Sequence, residues 1–244
     1  MPDFTGKSVL LTGAAGGIGT AMAEAFAQAG ARLALVDRED CTEMARTLKG
    51  DGHSSWVLDL SDPDAIAEVV PRVGTAVGID ILINNAGLGV VAPAEDQAID
   101  LWDKTQAINL RAPWLMARAA LPYLRASGAG RIVNMASQAA VVALPEHAAY
   151  GSSKAGLVAL TKVLAVEWAQ YGITVNAISP TVVETPMALV GWSGEKGAQA
   201  KRDIPVGRFA RPSEIAAAAL YLCSAQAGII TGENLVADGG YTVR

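Results

Sequence analysis

The chain predicts an α/β fold, a doubly wound parallel sheet flanked by helices, on three observations. Short apolar runs alternate with helix-forming segments along the whole length. A glycine-rich turn joins the first run to the first helix, and small or polar residues stand at the ends of successive runs. With 244 residues, 51% hydrophobic and 18% charged, the sequence fits one domain over 1–244 with a large core. No internal repeat or low-complexity segment divides it.

The first strand is expected at residues 8–11, ending in Thr12-Gly13-Ala14-Ala15-Gly16-Gly17-Ile18-Gly19, with a helix over 21–30. Small residues there let the backbone approach a pyrophosphate, whose charge sits at a helix N-terminus. The turn lacks the Gly-Lys-Ser/Thr ending of a nucleotide-hydrolysing P-loop. Residues 32–37 read as the second strand, and Asp37 at its end follows Gly19 by 18 positions. That is close to the spacing at which a carboxylate accepts hydrogen bonds from an adenosine ribose. Asp37 as the cap of a helix over 40–48 competes with this reading, although Asp40 can supply that cap.

Residues 54–60 predict a third strand ending near Asp59 and Leu60, at the same sheet edge as Asp37. Ser61-Asp62-Pro63 then opens a helix with a capping residue and an early proline. A buried strand over 79–83 runs into Asn84-Asn85-Ala86-Gly87, where small residues again allow close approach. Four βα units in succession imply a parallel sheet with its ligand along the C-terminal edge. A helical region covers about 98–124, with Asn109 in an apolar setting before Pro113. Asparagine there suits a distorted helix backbone or a held water. Residues 131–135 make the fifth strand, with Ser137 just past its end, and 173–178 make the sixth, ending at Ser179-Pro180. Residues 182–205 interrupt any long periodicity and are expected to form a mobile lid. Arg211-Pro212-Ser213-Glu214 opens a last helix, and 234–237 form a closing strand.

Tyr150-Gly151-Ser152-Ser153-Lys154 opens the long apolar helix that runs to Trp168. Residues four apart share a helix face, so the Tyr150 phenol and Lys154 ammonium point the same way. A fixed cation favours the phenolate of a group that ionises near pKa ~10. A half-buried tyrosine beside a snorkelling lysine gives the same pattern, so the pair gains meaning only with the rest of the chain.

A formal charge of −5 without like-charge runs leaves no electrostatic footprint for nucleic acid or an anionic membrane. Residues 1–7 lack a basic leader followed by an apolar segment, and no apolar stretch is long enough for a bilayer, so a cytoplasmic location is expected. Cys41 and Cys223 are isolated and His53 and His147 are the only histidines, which predicts neither a disulfide scaffold nor a metal site.

Together, the turn at 12–19, Asp37, Asp59, Asn-Asn-Ala-Gly at 84–87, Asn109, Ser137, Tyr150 and Lys154 resemble the short-chain dehydrogenase/reductase superfamily over essentially the whole chain. The resemblance implies a Rossmann-type sheet and an NAD- or NADP-dependent oxidoreductase acting on a secondary alcohol or ketone. It implies that Tyr150 exchanges the proton, Lys154 holds the ribose and lowers the tyrosine pKa, Ser137 orients the oxygen and Asn109 supports a water. Implied cofactor contacts are Gly13, Gly17, Ile18, Gly19, Asp37, Asp59, Leu60, Asn85, Ala86, Gly87, Tyr150, Lys154, Pro180, Val182 and Thr185. Where the family commonly has Pro-Gly after the sixth strand, this chain has Pro180-Thr181. Threonine cannot take glycine-only backbone angles cheaply, so a differently shaped loop is expected.

The stretches 179–185 and 237–242 look most like sugar-alcohol (polyol) dehydrogenases, which implies a small polyol and its keto sugar as substrate and product. Gln138, His147 and Trp192, flanking Ser137, Tyr150 and the lid, are the expected substrate contacts. The alternative is a 3-oxoacyl thioester (acyl carrier protein) reductase. An inactive dinucleotide-sensing protein is argued against by intact Ser137, Tyr150 and Lys154. Asp37, with no basic residue at 14–16, predicts NAD over NADP, because a 2′-phosphate would meet like charge. Arg38 is expected to lie along the adenine or in solvent. On the long helix, Leu157, Leu160, Leu164 and Trp168 are expected to pack on the sheet, with Ala159, Val163 and Val166 forming a second apolar stripe. A helix apolar on two faces is buried on both, which predicts a homo-oligomer, a tetramer by resemblance.

Overall fold

Near-continuous apolar runs become the central strands of a seven-stranded parallel sheet covered on both faces, the setting in which strands carry apolar residues on both sides. The two edge strands are partly exposed. The computed structural model describes residues 2–244, the Met187 side chain excepted. The strands are β1 (Ser8–Thr12), β2 (Arg32–Asp37), β3 (Ser54–Val57), β4 (Ile81–Asn84), β5 (Arg131–Met135), β6 (Thr174–Pro180) and β7 (Asn234–Ala237). They form one sheet in the order β3-β2-β1-β4-β5-β6-β7. The helices are α1 (Gly17–Gln28), α2 (Thr42–Thr47), α3 (Pro63–Val77), α4 (Ile99–Gln106), α5 (Ala112–Ala126), α6 (Ala148–Trp168), α7 (Pro186–Gly191), α8 (Gly194–Asp203) and α9 (Pro212–Cys223).

Strand alternation sorts the core into two layers. Val9, Leu11, Leu35 and Ile83 pack with Phe26 of α1 and Ile215 and Ala219 of α9. Leu10, Leu82, Ile132 and Val175 pack with Val73 of α3, Met116 of α5 and Leu164 and Trp168 of α6. The strand order reverses between β1 and β4, and ligands of such sheets bind outside the carboxyl ends of the strands at this switch point.

Several local expectations are corrected by side-chain chemistry. β3 ends at Val57, short of Asp59, because the Asp59 carboxylate turns onto the Ser61 amide (2.8 Å) and hydroxyl (2.7 Å). Asp62 then caps α3 through the amides of Asp64 and Ala65. The helix expected over 40–48 starts at Thr42, since Asp40 uses its carboxylate on Thr42 and Ser55. The region 98–124 is broken by a π turn at Ala107–Arg111, where the Ala112 amide reaches back to the Ala107 carbonyl. Pro113 accounts for it: a proline ring collides with the carbonyl four residues before it, here that of Asn109, and a wider turn relieves the collision.

The segment 182–205 is two short helices rather than an irregular lid. Thr185 caps α7 by accepting from the Ala188 amide at 3.2 Å, and Pro186 follows at the first helical position. Thr181 continues the ladder of β6, donating its amide to the Ala237 carbonyl at 3.2 Å. Among non-glycine described residues, only Glu146 takes a positive φ, so Thr181 meets the expected change of loop shape without left-handed strain. Among the described residues, no helix is long and apolar enough to cross a membrane.

Candidate active site

Ser137, Tyr150 and Lys154 converge because β5 ends just before Ser137 and α6 is laid over that end. Lys154 Nζ donates to the Met135 carbonyl at 2.7 Å and lies 5.8 Å from the centre of the Tyr150 ring. Burial lowers the Lys154 pKa to about 8. Tyr150 is half-buried, and desolvation raises its pKa against the smaller, lowering effect of a hydrogen bond from Ser137. The lowering by Lys154 that the resemblance implies is not among the influences on the phenol here, where burial is the larger one and the Lys154 ammonium donates to β5. Ser137 also accepts the Ala139 amide at 3.2 Å through Oγ.

Asn109 sits in the π turn, fully buried, and brackets one residue of the loop after β4. Its Oδ1 accepts the Leu88 amide at 2.7 Å, and its Nδ2 donates to the Leu88 carbonyl at 2.9 Å and to Ser153 Oγ at 3.1 Å. Ser153 donates onward to the Tyr150 carbonyl at 2.7 Å. The helix distortion expected at Asn109 is present, but its bonds go to Leu88 and the catalytic helix rather than to its own backbone.

The glycine turn fits a dinucleotide. Gly13 has φ +67°, and a Cβ on Gly19 would stand 2.0 Å from the Gly13 carbonyl oxygen, so α1 can pack this tightly only with glycine there. α1 starts after Gly16 with no side-chain cap and no acidic residue in its first turn, which leaves the amides at Gly17, Ile18 and Gly19 and the positive dipole end to a diphosphate. A Cβ on Gly17 would come within 2.8 Å of Thr185, so the α7 cap borders the same turn. Asp37 accepts the Ala15 amide at 3.0 Å, which places its carboxylate against the turn at the end of β2. Arg38 beside it is exposed.

Asn85 also braces this turn. Its Nδ2 donates to the carbonyls of Thr12 (3.1 Å) and Gly13 (3.0 Å), while the Asn85 and Ala86 amides both donate to Thr12 Oγ1. A Cβ on Gly87 would be 3.3 Å from Lys154 Nζ, so this stretch passes directly beside the lysine. Leu60 and Val182 are half-buried, and Pro180 pairs with Ala237 at the end of β6.

Of the expected substrate contacts, Gln138 is buried beside Ser137, and the His147 ring stands edge-on to Tyr150 at 5.9 Å between centroids. Trp192 packs on Phe209 at 6.2 Å and beneath Lys196 Nζ at 5.0 Å, which holds it within the α7–α8 region. A cleft of about 430 Å³ lies at the opposite end of the sheet, against Lys7, Arg32 and Asp51, and shares no residue with this site.

Sequence reasoning missed the polar groups that position α6. Gln97 Oε1 accepts the Ala149 amide at 3.1 Å, and Gln106 Nε2 donates to the Ala149 carbonyl at 3.2 Å, on either side of Tyr150's neighbour. Asn84 donates to Asn134 at 2.8 Å, and Asn134 donates to Thr161 at 2.9 Å, joining β4, β5 and α6 through the core. Asparagines inside otherwise apolar strands were the available signal. Gln97 Nε2, Gln138 Oε1 and Thr181 Oγ1 are buried near this edge without a hydrogen-bond partner, a condition that costs about 1–3 kcal/mol each.

A glycine turn at the first crossover and a Ser-Tyr-Lys set on the same edge define a dinucleotide-dependent oxidoreductase. The chain belongs to the short-chain dehydrogenase/reductase family: the family profile adh_short_C2, described as enoyl-(acyl carrier protein) reductase, matches residues 13–242. It is 46% identical to the NAD-dependent glycerol dehydrogenase of Listeria innocua, over 99% of this chain and 96% of that protein. It is 48% identical to the D-threitol dehydrogenase of Mycolicibacterium smegmatis, over 98% of this chain and 94% of that protein. Among solved structures, a putative NAD(P)-dependent gluconate 5-dehydrogenase from Beutenbergia cavernae with bound NADP superposes with a TM-score of 0.93. It is 35% identical, and the match covers 99% of each chain.

Proposed function

We propose that this enzyme oxidises a small polyol to its keto form with NAD, and reduces the keto form in reverse. The observation that carries the reading is the meeting of Ser137, Tyr150 and Lys154 at the sheet edge of a chain whose full-length relatives are named for glycerol and D-threitol. Ser137 holds the substrate oxygen, and the Tyr150 phenol oxygen exchanges its proton. Lys154 holds the ribose and supplies positive charge beside the phenol, while Asn109 keeps the approach from Leu88 in place. The nicotinamide supplies the hydride acceptor, and Asp37, Gly13, Gly17 and Gly19 hold the rest of the dinucleotide. Gln138 and His147 face the substrate, with the α7–α8 segment as its lid.

NAD is preferred because Asp37 stands where a 2′-phosphate would be repelled and a 2′-hydroxyl can donate. The enzyme is a cytoplasmic homo-oligomer, a tetramer by family likeness. Exposed Val163 and Val166 on α6, with Ile99, Trp102 and Trp114 on α4 and α5, support self-association.

The test is initial-rate oxidation of glycerol, D-threitol, pentitols and hexitols, and reduction of an acetoacetyl thioester, each with both cofactors. Turnover of a short polyol with NAD is expected. Turnover confined to the thioester with NADPH would overturn the reading in favour of an acyl carrier reductase.

A further inference from the structure

Strand alternation places Thr181 on the face of the sheet that α6 covers. Val175 belongs to the core layer under α6, and Ala177, Ser179 and, one residue past the strand, Thr181 follow it on that side. The Thr181 amide still pairs with Ala237, so the parity holds beyond Pro180. α6 runs along this face with its N-terminus outward, since Lys154 reaches Met135, Thr161 reaches Asn134 and Trp168 lies in the core below. Met135 pairs with Ile178, so Thr181 lies three residues past that pairing, at the strand end where Ser137 follows β5.

At that level the Thr181 side chain is 7% exposed, and its hydroxyl has no hydrogen-bond partner among the described residues. Gln138 Oε1, on the residue after Ser137, is equally buried and equally unpartnered. Buried polar groups in folded proteins are almost always paired, so two orphans at the strand ends beside Ser137 point to hydrogen bonds completed by a bound molecule. We infer that Thr181 is a specificity-determining residue whose hydroxyl pairs with the substrate hydroxyl on the carbon next to the reacting one. Gln138 Oε1 supplies a second acceptor for the same polyhydroxylated chain. The inference rests on the polyol reading and assigns its preference for vicinal diols to one hydroxyl. A secondary alcohol without a neighbouring hydroxyl leaves Thr181 unpaired and is discriminated against for that reason.

The test compares wild type, Thr181→Val and Thr181→Ser in kcat/KM for 2,3-butanediol and 2-butanol with NAD, in NADH affinity by fluorescence, and in thermal midpoint without substrate. Thr181→Val is expected to lose roughly 3- to 10-fold of the diol-over-monoalcohol ratio, and Thr181→Ser to restore it. NADH affinity should stay unchanged. The midpoint of Thr181→Val should equal or exceed that of wild type, because an unpaired buried hydroxyl has been removed. A valine variant that keeps the ratio, or that loses NADH affinity instead, overturns the inference and leaves the polyol reading standing. A wild type with no diol preference overturns the polyol reading first.

Discussion

Lys154 Nζ donates a 2.7 Å hydrogen bond to the carbonyl of Met135, the last residue of β5 and two residues before Ser137. One buried ammonium thereby pins the catalytic helix to the strand that delivers the serine. Its pKa of about 8 lies below the ~10.4 of an exposed lysine. Between those values the unfolded chain holds a proton that the folded chain has released, so the contribution of Lys154 to folding stability rises with pH across that window. Tyr150 opposes this only above about pH 10, because its own pKa is raised. Wild type should therefore gain about 2–3 kcal/mol relative to Lys154→Met between pH ~7.5 and ~10, read from urea midpoints. A difference that stays constant with pH would contradict the buried, charge-disfavouring site.

Gly19→Ala should damage the dinucleotide turn, since its Cβ would lie 2.0 Å from the Gly13 carbonyl oxygen. We expect a loss of at least about 2 kcal/mol in stability together with weakened NADH binding. Gly191→Ala, where nothing lies within 4 Å, is the control and should change neither. Normal NADH binding by Gly19→Ala would show that α1 need not pack this closely.

Asp37→Ala should gain NADP activity while losing NAD activity, moving the ratio of kcat/KM values by roughly tenfold or more. Removing the carboxylate leaves exposed Arg38 free to meet a 2′-phosphate, and it also removes the bond to the Ala15 amide. A wild-type enzyme faster with NADP, or a variant with an unchanged ratio, would remove Asp37 from the ribose site.

Val163→Asp with Val166→Asp should dissociate the oligomer, because a charge on each exposed apolar position opposes burial against a second copy. Sedimentation velocity at micromolar concentration reads the outcome. A wild type that sediments as a monomer contradicts the proposed assembly.

Most of the fold was legible because parallel strands buried on both faces leave unmixed apolar runs, and the chemistry of such folds stands at the strand ends. β2, β5 and β7 fall at the expected residues, and Asp37, Asn85, Ser137 and Lys154 share one edge. What the sequence hid were interactions with no periodicity. The π turn depends on Pro113 acting four residues upstream, the capping of α6 comes from Gln97 more than fifty residues away, and the Asn84-Asn134-Thr161 chain requires the register of β4 on β5. The order in 182–205 was hidden because α7 is short and gains its start from a single cap at Thr185. The phenol's raised pKa comes from its burial in the folded site, which a spacing of four residues does not specify.

The central claim, that Tyr150 carries the proton in hydride transfer to and from a polyol, is tested most directly by Tyr150→Phe. The variant removes one oxygen from a half-buried ring and leaves the glycine turn, Asp37 and Lys154 in place. Polyol oxidation by wild type and variant should be measured with NAD at saturation, alongside NADH affinity by fluorescence titration. We predict a fall in kcat of roughly 10² to 10⁴ with NADH affinity unchanged. Turnover within a few-fold of wild type would contradict the account, whatever the substrate proves to be.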